Sequence, residues 1–178
     1  MKKLTMEELN RVSTEEFKEQ AKTPVVVVLD NVRSMYNVGS MFRTCDGFAV
    51  EALYLCGITA YPPHKEISKT ALGATESVNW KHFTSTVEAV QQLREAGYTM
   101  LAVEQVDTST SLQDYEPPAG AKIAIVLGNE VFGVDDEVLA LCDGALEIPQ
   151  AGTKHSFNVS VAGAIVIWEL YRKFSCFE

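Results

Sequence analysis

A mostly parallel α/β sheet with helices on both faces is the fold that this 178-residue sequence predicts. Three observations carry that expectation. Val25-Val26-Val27-Val28-Leu29 is a β-branched run without a polar face, as in a strand covered on both sides. Further short apolar runs follow, separated by stretches of helical periodicity. Polar, glycine-punctuated segments stand beside several of these runs, where α/β proteins keep their chemistry.

Thr5 with Glu8, and Ser13 with Glu16, have capping-box spacing and predict two short opening helices. Pro24 stops that pattern ahead of the first strand. Further strands are expected at Ala52–Cys56, Tyr98–Val103, Lys122–Leu127 and Ala145–Ile148. Helices are expected at Val38–Phe48, Thr86–Ala96, Asp135–Leu141 and Asn158–Phe174. Pro62-Pro63 and Pro117-Pro118-Ala119-Gly120 mark loops inside one domain, because neither flanks a change in composition. The chain therefore divides into a short helical extension, residues 1–23, and one domain, residues 24–178. No internal repeat interrupts it. From Val159 to Tyr171, apolar residues cover nearly the whole circumference of the last helix. A helix apolar all round is buried on all sides, which in so small a domain points to a homodimer.

An apolar content of 47% suffices for a full core. The longest apolar stretches, Val25 to Leu29 and Val161 to Trp168, fall far short of the roughly 20 residues of a membrane span. No basic segment followed by an apolar one opens the chain, so no signal peptide is expected and the cytoplasm is the expected compartment. Cys45, Cys56, Cys142 and Cys176 form no CxxC pair and the three histidines are scattered, so neither a metal site nor a disulfide framework is expected. A net charge of −9 argues against a nucleic-acid partner unless a local basic face offsets it. No GxGxxG follows a strand. Gly128 and Gly133 have Walker-type spacing, but Val134-Asp135 stand where Lys and Ser or Thr are required.

Three segments remain: Asn37-Val38-Gly39-Ser40-Met41-Phe42-Arg43, Leu127-Gly128-Asn129-Glu130-Val131-Phe132-Gly133 and Ser156-Phe157-Asn158-Val159-Ser160. Singly, each residue has a plain reading. Asn37 and Ser156 suit helix N-caps, and Asn158 a further local backbone bond. Arg43 suits an i,i+3 pair with Asp46, and Glu130 a solvated loop carboxylate. Gly128 suits a strand end with an unusual backbone angle, and Gly39 the close approach of a ligand or another backbone.

In order and type, the three segments resemble the signature motifs of the SpoU (TrmH-like) family of RNA ribose 2′-O-methyltransferases. Arg43-Thr44-Cys45-Asp46 looks like the family's RTxD, and Thr70-Ala71-Leu72-Gly73-Ala74 like its TxxGA segment. The resemblance runs from about Val25 to Trp168. It implies the SPOUT fold, with a deep C-terminal trefoil knot, a homodimer and S-adenosyl-L-methionine as cofactor. It further implies RNA (tRNA or rRNA) as the partner that receives a methyl group on a ribose 2′-hydroxyl. Carried over residue by residue, Arg43, Asn37, Glu130, Ser156 and Asn158 are the expected catalytic residues. Gly128, Ile148, Phe157, Leu101, Val103, Pro149 and Gly152 are the expected cofactor contacts. Phe157 departs from the family's usual Leu. No separate RNA-binding domain is expected before Val25, although several members carry one. Arg43 has two open roles under the resemblance, as acceptor of the ribose proton or as a clamp on phosphate and developing alkoxide. A catalytically silent RNA- or protein-binding member and a flavodoxin-like nucleotide-binding domain are the alternatives.

Overall fold

Residues 1–5, 8–9 and 11–174 are described by a computed structural model; Cys176 lies outside them. The centre of the molecule is β1 (Thr23–Asp30), in which Val25 to Leu29 are at most 1% exposed. The β1 side chains alternate between two separate cores. Val25, Val27 and Leu29 enter one, with Val38, Met41 and Phe42 of α2 (Met35–Gly47) and Val166, Ile167 and Leu170 of α7 (Val159–Phe174). Val26 and Val28 enter the other, with Ala89, Val90 and Leu93 of α5 (Thr86–Glu95) and Val138 of α6 (Asp136–Leu139). Helices therefore cover both faces, as the unbroken apolar run requires.

Every strand pairing is parallel. The order across the sheet is β3 (Trp80–Phe83), β2 (Val50–Cys56), β1, β6 (Ile123–Leu127), β4 (Thr99–Val103), β7 (Gly144–Glu147) and β5 (Thr110–Ser111). The chain winds outward from β1 through β2 to β3, then crosses to the opposite side of the sheet. That reversal opens a crevice at the carboxyl ends of the strands, where open α/β sheets bind ligands.

Four elements escape the sequence reading: β3, β5, α3 (Lys65–Ala71) and α4 (Ala74–Ser77). The strand β3 is a half-buried edge strand, and β5 has two residues; neither presents an apolar run. At the start, Ser13 and Glu16 form the expected capping box on α1 (Thr14–Glu19). Thr5 and Glu8 exchange the same reciprocal bonds, but only a turn is described there; Met6, Glu7 and Asn10 lie outside the described residues.

Two caps need correction. Ser34, not Asn37, caps α2; its hydroxyl accepts the Asn37 backbone N–H at 3.3 Å, and the Asn37 side chain is left for other work. Ser156 does not cap α7. That helix begins at Val159, and Asn158 Oδ1 accepts the Ser160 backbone N–H at 2.9 Å. The expected burial of α7 on all sides also fails for one subunit. Val159, Gly163, Val166, Ile167 and Leu170 face the core, while Val161 and Trp168 are each 46% exposed. Phe48, Trp168 and Tyr171 form an aromatic cluster beside that outer face, with Phe48 5.7 Å from Trp168 and 5.4 Å from Tyr171 between ring centroids.

Among the described residues, no helix is long and apolar enough to cross a membrane. Cys45, Cys56 and Cys142 are free thiols. Burial pushes Cys56 up to about 12 and Cys142 up to about 11, so both are packing residues rather than thiolate nucleophiles.

Candidate active site

A cleft of about 520 Å³ opens at the carboxyl ends of β4, β6 and β7. Val103 and Glu104 come from the end of β4, Leu127 to Gly133 from the loop after β6, and Ile148 from the end of β7. Ser156, Phe157 and Asn158 close it at the start of α7. Gly128, Val103, Ile148 and Phe157 of the expected cofactor set thus share one cleft with Glu130, Ser156 and Asn158. Leu101 does not reach it; one strand turn deeper, it is 5% exposed inside the core. Pro149 and Gly152 are exposed and stand outside the lining.

The loop after β6 is closed by its own atoms. The Asn129 and Gly133 backbones exchange hydrogen bonds at 2.8 and 2.9 Å, and Asn129 Oδ1 accepts the Val131 N–H at 2.9 Å. Gly133 has φ +73°, which favours glycine. Gly128 is needed for a different reason: a Cβ there would stand 2.0 Å from the Gly133 carbonyl carbon. The unusual angle expected at Gly128 is found at Gly133 instead, and Gly128 permits the loop to fold back on itself.

Glu130 is more than a solvated carboxylate. Its two oxygens accept the backbone N–H groups of Arg33 and Ser34, both at 3.0 Å, and the Asn37 side-chain amide at 3.1 Å. Burial alone would raise this carboxyl, but the bonds from Arg33 and Ser34 outweigh it and hold it below the ordinary carboxylate value. The network thus forms above the ordinary carboxylate range and comes apart as pH falls through the lowered value. Asn158 Nδ2 donates to Asn37 Oδ1 at 3.1 Å, and the Ser160 hydroxyl donates to Asn158 Oδ1 at 2.6 Å. Residues from three distant segments therefore meet in one polar chain at the cleft's edge: Glu130, Asn37, Asn158 and Ser160.

Arg43 stands elsewhere. It is exposed, and lines a second cleft of about 430 Å³ with Ser40, Thr44, Lys69, Thr70 and Leu72. The expected pair with Asp46 is not formed, because Asp46 Oδ1 accepts the Ser77 hydroxyl instead.

Some supporting residues were missed. Asn129 Nδ2 donates to the Asn31 carbonyl at 2.8 Å, tying the Glu130 loop to the end of β1. Glu104 Oε2 accepts the Val134 N–H at 3.2 Å and braces the loop from the β4 side. Asp30 is 1% exposed and accepts from the Thr86 hydroxyl at 2.6 Å, the Asn31 amide at 2.9 Å and the Asp135 N–H at 2.9 Å. A carboxylate that ends a buried strand was the available signal, since such a charge persists only when fully bonded. Asp30→Ala leaves buried donors unpaired and is expected to cost about 3 kcal/mol, read as a lower urea midpoint at unchanged m-value.

A glycine-closed loop and a polar network thus stand over the switch-point cleft of a parallel α/β domain, the place where such sheets bind ligands. A model of the SpoU rRNA Methylase family matches residues 24–168, and the chain belongs to that family. It is 32% identical over 168 residues to a tRNA (guanosine(18)-2′-O)-methyltransferase of Thermus thermophilus, covering 93% of this chain and 84% of that one. It is 30% identical over 166 residues to a 23S rRNA (guanosine-2′-O-)-methyltransferase of Vibrio parahaemolyticus, covering 93% and 66%. A TrmH/SpoU tRNA modifying enzyme of A. aeolicus superimposes with TM-score 0.79 at 26% identity, over 90% of this chain and 80% of that one. The chain spans only 61% of a TrmH-family tRNA/rRNA methyltransferase from Staphylococcus haemolyticus that it matches at 30% identity.

Proposed function

We propose that this protein transfers a methyl group from S-adenosyl-L-methionine to a ribose 2′-hydroxyl of tRNA or rRNA. The observation that carries this reading is the Glu130–Asn37–Asn158–Ser160 network at the edge of the cleft. The cleft fits the cofactor: Ile148, Phe157 and Val103 give apolar wall for a neutral adenine, and the Gly128–Gly133 loop brings backbone into reach. When bound, that cofactor supplies an electrophilic sulfonium methyl, so the protein's own share is alignment and care of one proton.

The network performs the alignment. Glu130 fixes Asn37, Asn37 fixes Asn158, and each amide keeps hydrogen-bonding capacity for a ribose hydroxyl. Arg43 lies six residues beyond Asn37 on α2, about 9 Å along the helix, the scale of a nucleotide with its flanking phosphate. The Arg43 side chain then either takes the 2′-hydroxyl proton as a neutral guanidine or, as a guanidinium, holds phosphate and developing alkoxide. Calorimetry tests the cofactor: S-adenosyl-L-methionine is expected to bind and FMN not to. FMN binding alone would favour a flavodoxin-like reading and sink this one.

The homodimer, the trefoil knot and a cytoplasmic location belong to the same proposal. Support for the dimer is the apolar outer face of α7, Val161 and Trp168, continued by Phe48 and Tyr171. Ile167, an outward position if α7 were apolar all round for a partner, is fully buried in the subunit's own core and cannot report on association. Trp168→Glu can. It is expected to yield monomers that keep their fold, whereas wild type sediments as a dimer at micromolar concentration. A wild-type monomer at that concentration contradicts the dimer.

A further inference from the structure

The cleft that holds Arg43 is built from two helices pressed together at a glycine. A Cβ on Gly39 would stand 2.3 Å from the Ile67 carbonyl oxygen and 2.1 Å from Thr70 Oγ1. Thr70 secures the contact by donating to the Tyr36 carbonyl at 3.0 Å. One turn along α2 from Gly39 is Arg43, and across the cleft from α3 comes Lys69. Ser40 adds a hydroxyl without a hydrogen-bond partner among the described residues. A guanidinium, an ammonium and a hydroxyl donor thus line one open cleft. On a chain of net charge −9, this is the local basic face that an RNA backbone requires.

Lys69 is already engaged. Its ammonium donates to both Glu66 oxygens, at 2.7 and 3.0 Å, one turn back on α3, and lies 5.8 Å from the Tyr36 ring centroid. The shared bond holds the Glu66 carboxyl below its ordinary value and the Lys69 ammonium above its own. The Lys69 side chain is exposed at 49% accessibility and that of Glu66 is half-buried at 31%. Such a pair is weak enough to be exchanged for a better anion.

We propose that Lys69 is a second phosphate-binding residue of the RNA site, released from Glu66 when RNA backbone enters the Arg43 cleft. The inference rests on the RNA methyltransferase reading. Lys69 binds a phosphate of the RNA strand that passes Arg43, and Glu66 acts as a built-in competitor that lowers affinity for RNA. Lys69 is a positioning residue and takes no part in the chemistry.

The test is filter binding of unfractionated tRNA and rRNA against salt concentration, with calorimetry of S-adenosyl-L-methionine run on the same proteins. Lys69→Gln is expected to weaken RNA binding about fivefold and to reduce the slope of log affinity against log salt by about one. Glu66→Gln is expected to move the other way and bind RNA more tightly, a result that a merely structural ion pair does not give. Cofactor affinity should be unchanged in both. RNA affinity and salt slope equal to wild type in both variants, with cofactor binding intact, would overturn the role of Lys69 and leave the methyltransferase reading standing. Loss of cofactor binding in wild type would overturn that reading, and a wild type that binds no RNA would overturn both.

Discussion

Arg43→Ala is expected to lower methyl transfer at least about a hundredfold, the scale of losing one positioned proton-transfer or oxyanion group. Cofactor affinity should not change, because Arg43 lines the α2–α3 cleft and not the one at the strand ends. Arg43→Lys then separates the two roles. An amine gives up its proton more readily than a guanidinium, so a base role predicts rescue with a pH profile moved to lower values. A clamp predicts partial rescue with an unmoved profile, since a point charge still attracts phosphate without the bidentate fork. An Arg43→Ala protein that methylates RNA at near wild-type rate removes Arg43 from the site.

Gly128→Val is expected to abolish S-adenosyl-L-methionine binding. The substituent has no space: its Cβ alone would fall 2.2 Å from the Gly133 carbonyl oxygen and 2.2 Å from the Val134 nitrogen. The loop must therefore open, and the Asn129–Gly133 bonds, the Glu104 brace and the placement of Glu130 go with it. A fall in melting temperature should accompany the lost binding, so this variant does not keep an intact fold. Phe157→Ala supplies the control. It removes an exposed wall of the cleft, at 42% exposure, and is expected to weaken the cofactor without a change in thermal stability. Unchanged cofactor affinity in both variants would place the cofactor elsewhere.

How far the sequence could be read follows from where each signal resides. The buried run at Val25 to Leu29 is local, and it located both cores because neighbouring valines point to opposite faces. The cap of α2 was legible but misassigned: Ser34 stands three residues before Asn37, the spacing of a capping hydroxyl and its N–H partner. Short elements gave little. Lys65–Ala71 is one helix of seven residues between Pro62-Pro63 and Leu72, which ends it at φ +49°. Edge strand Trp80–Phe83 is half-buried and carries Lys81 and His82, so no apolar run marks it.

Within the site, types and order were readable from three motifs, and contacts were not. Nothing near Glu130 in sequence announces that its partners are Arg33, Ser34 and Asn37, some 93 to 97 positions away. Nothing near Arg43 announces Lys69, because their cleft depends on α3 pressing against Gly39. Chain threading leaves still less trace. A knot is a global property that no residue pattern records, and short unknotted connections are what physical rules favour.

Ribose methylation can be read directly in one measurement. The protein is incubated with methyl-labelled S-adenosyl-L-methionine and RNA from a strain lacking it, and the RNA is then digested to nucleosides. Label is expected in a 2′-O-methylnucleoside at a defined position, and it is expected to disappear with Arg43→Ala. Label confined to a base, or no label in any RNA despite bound cofactor, would contradict ribose methylation.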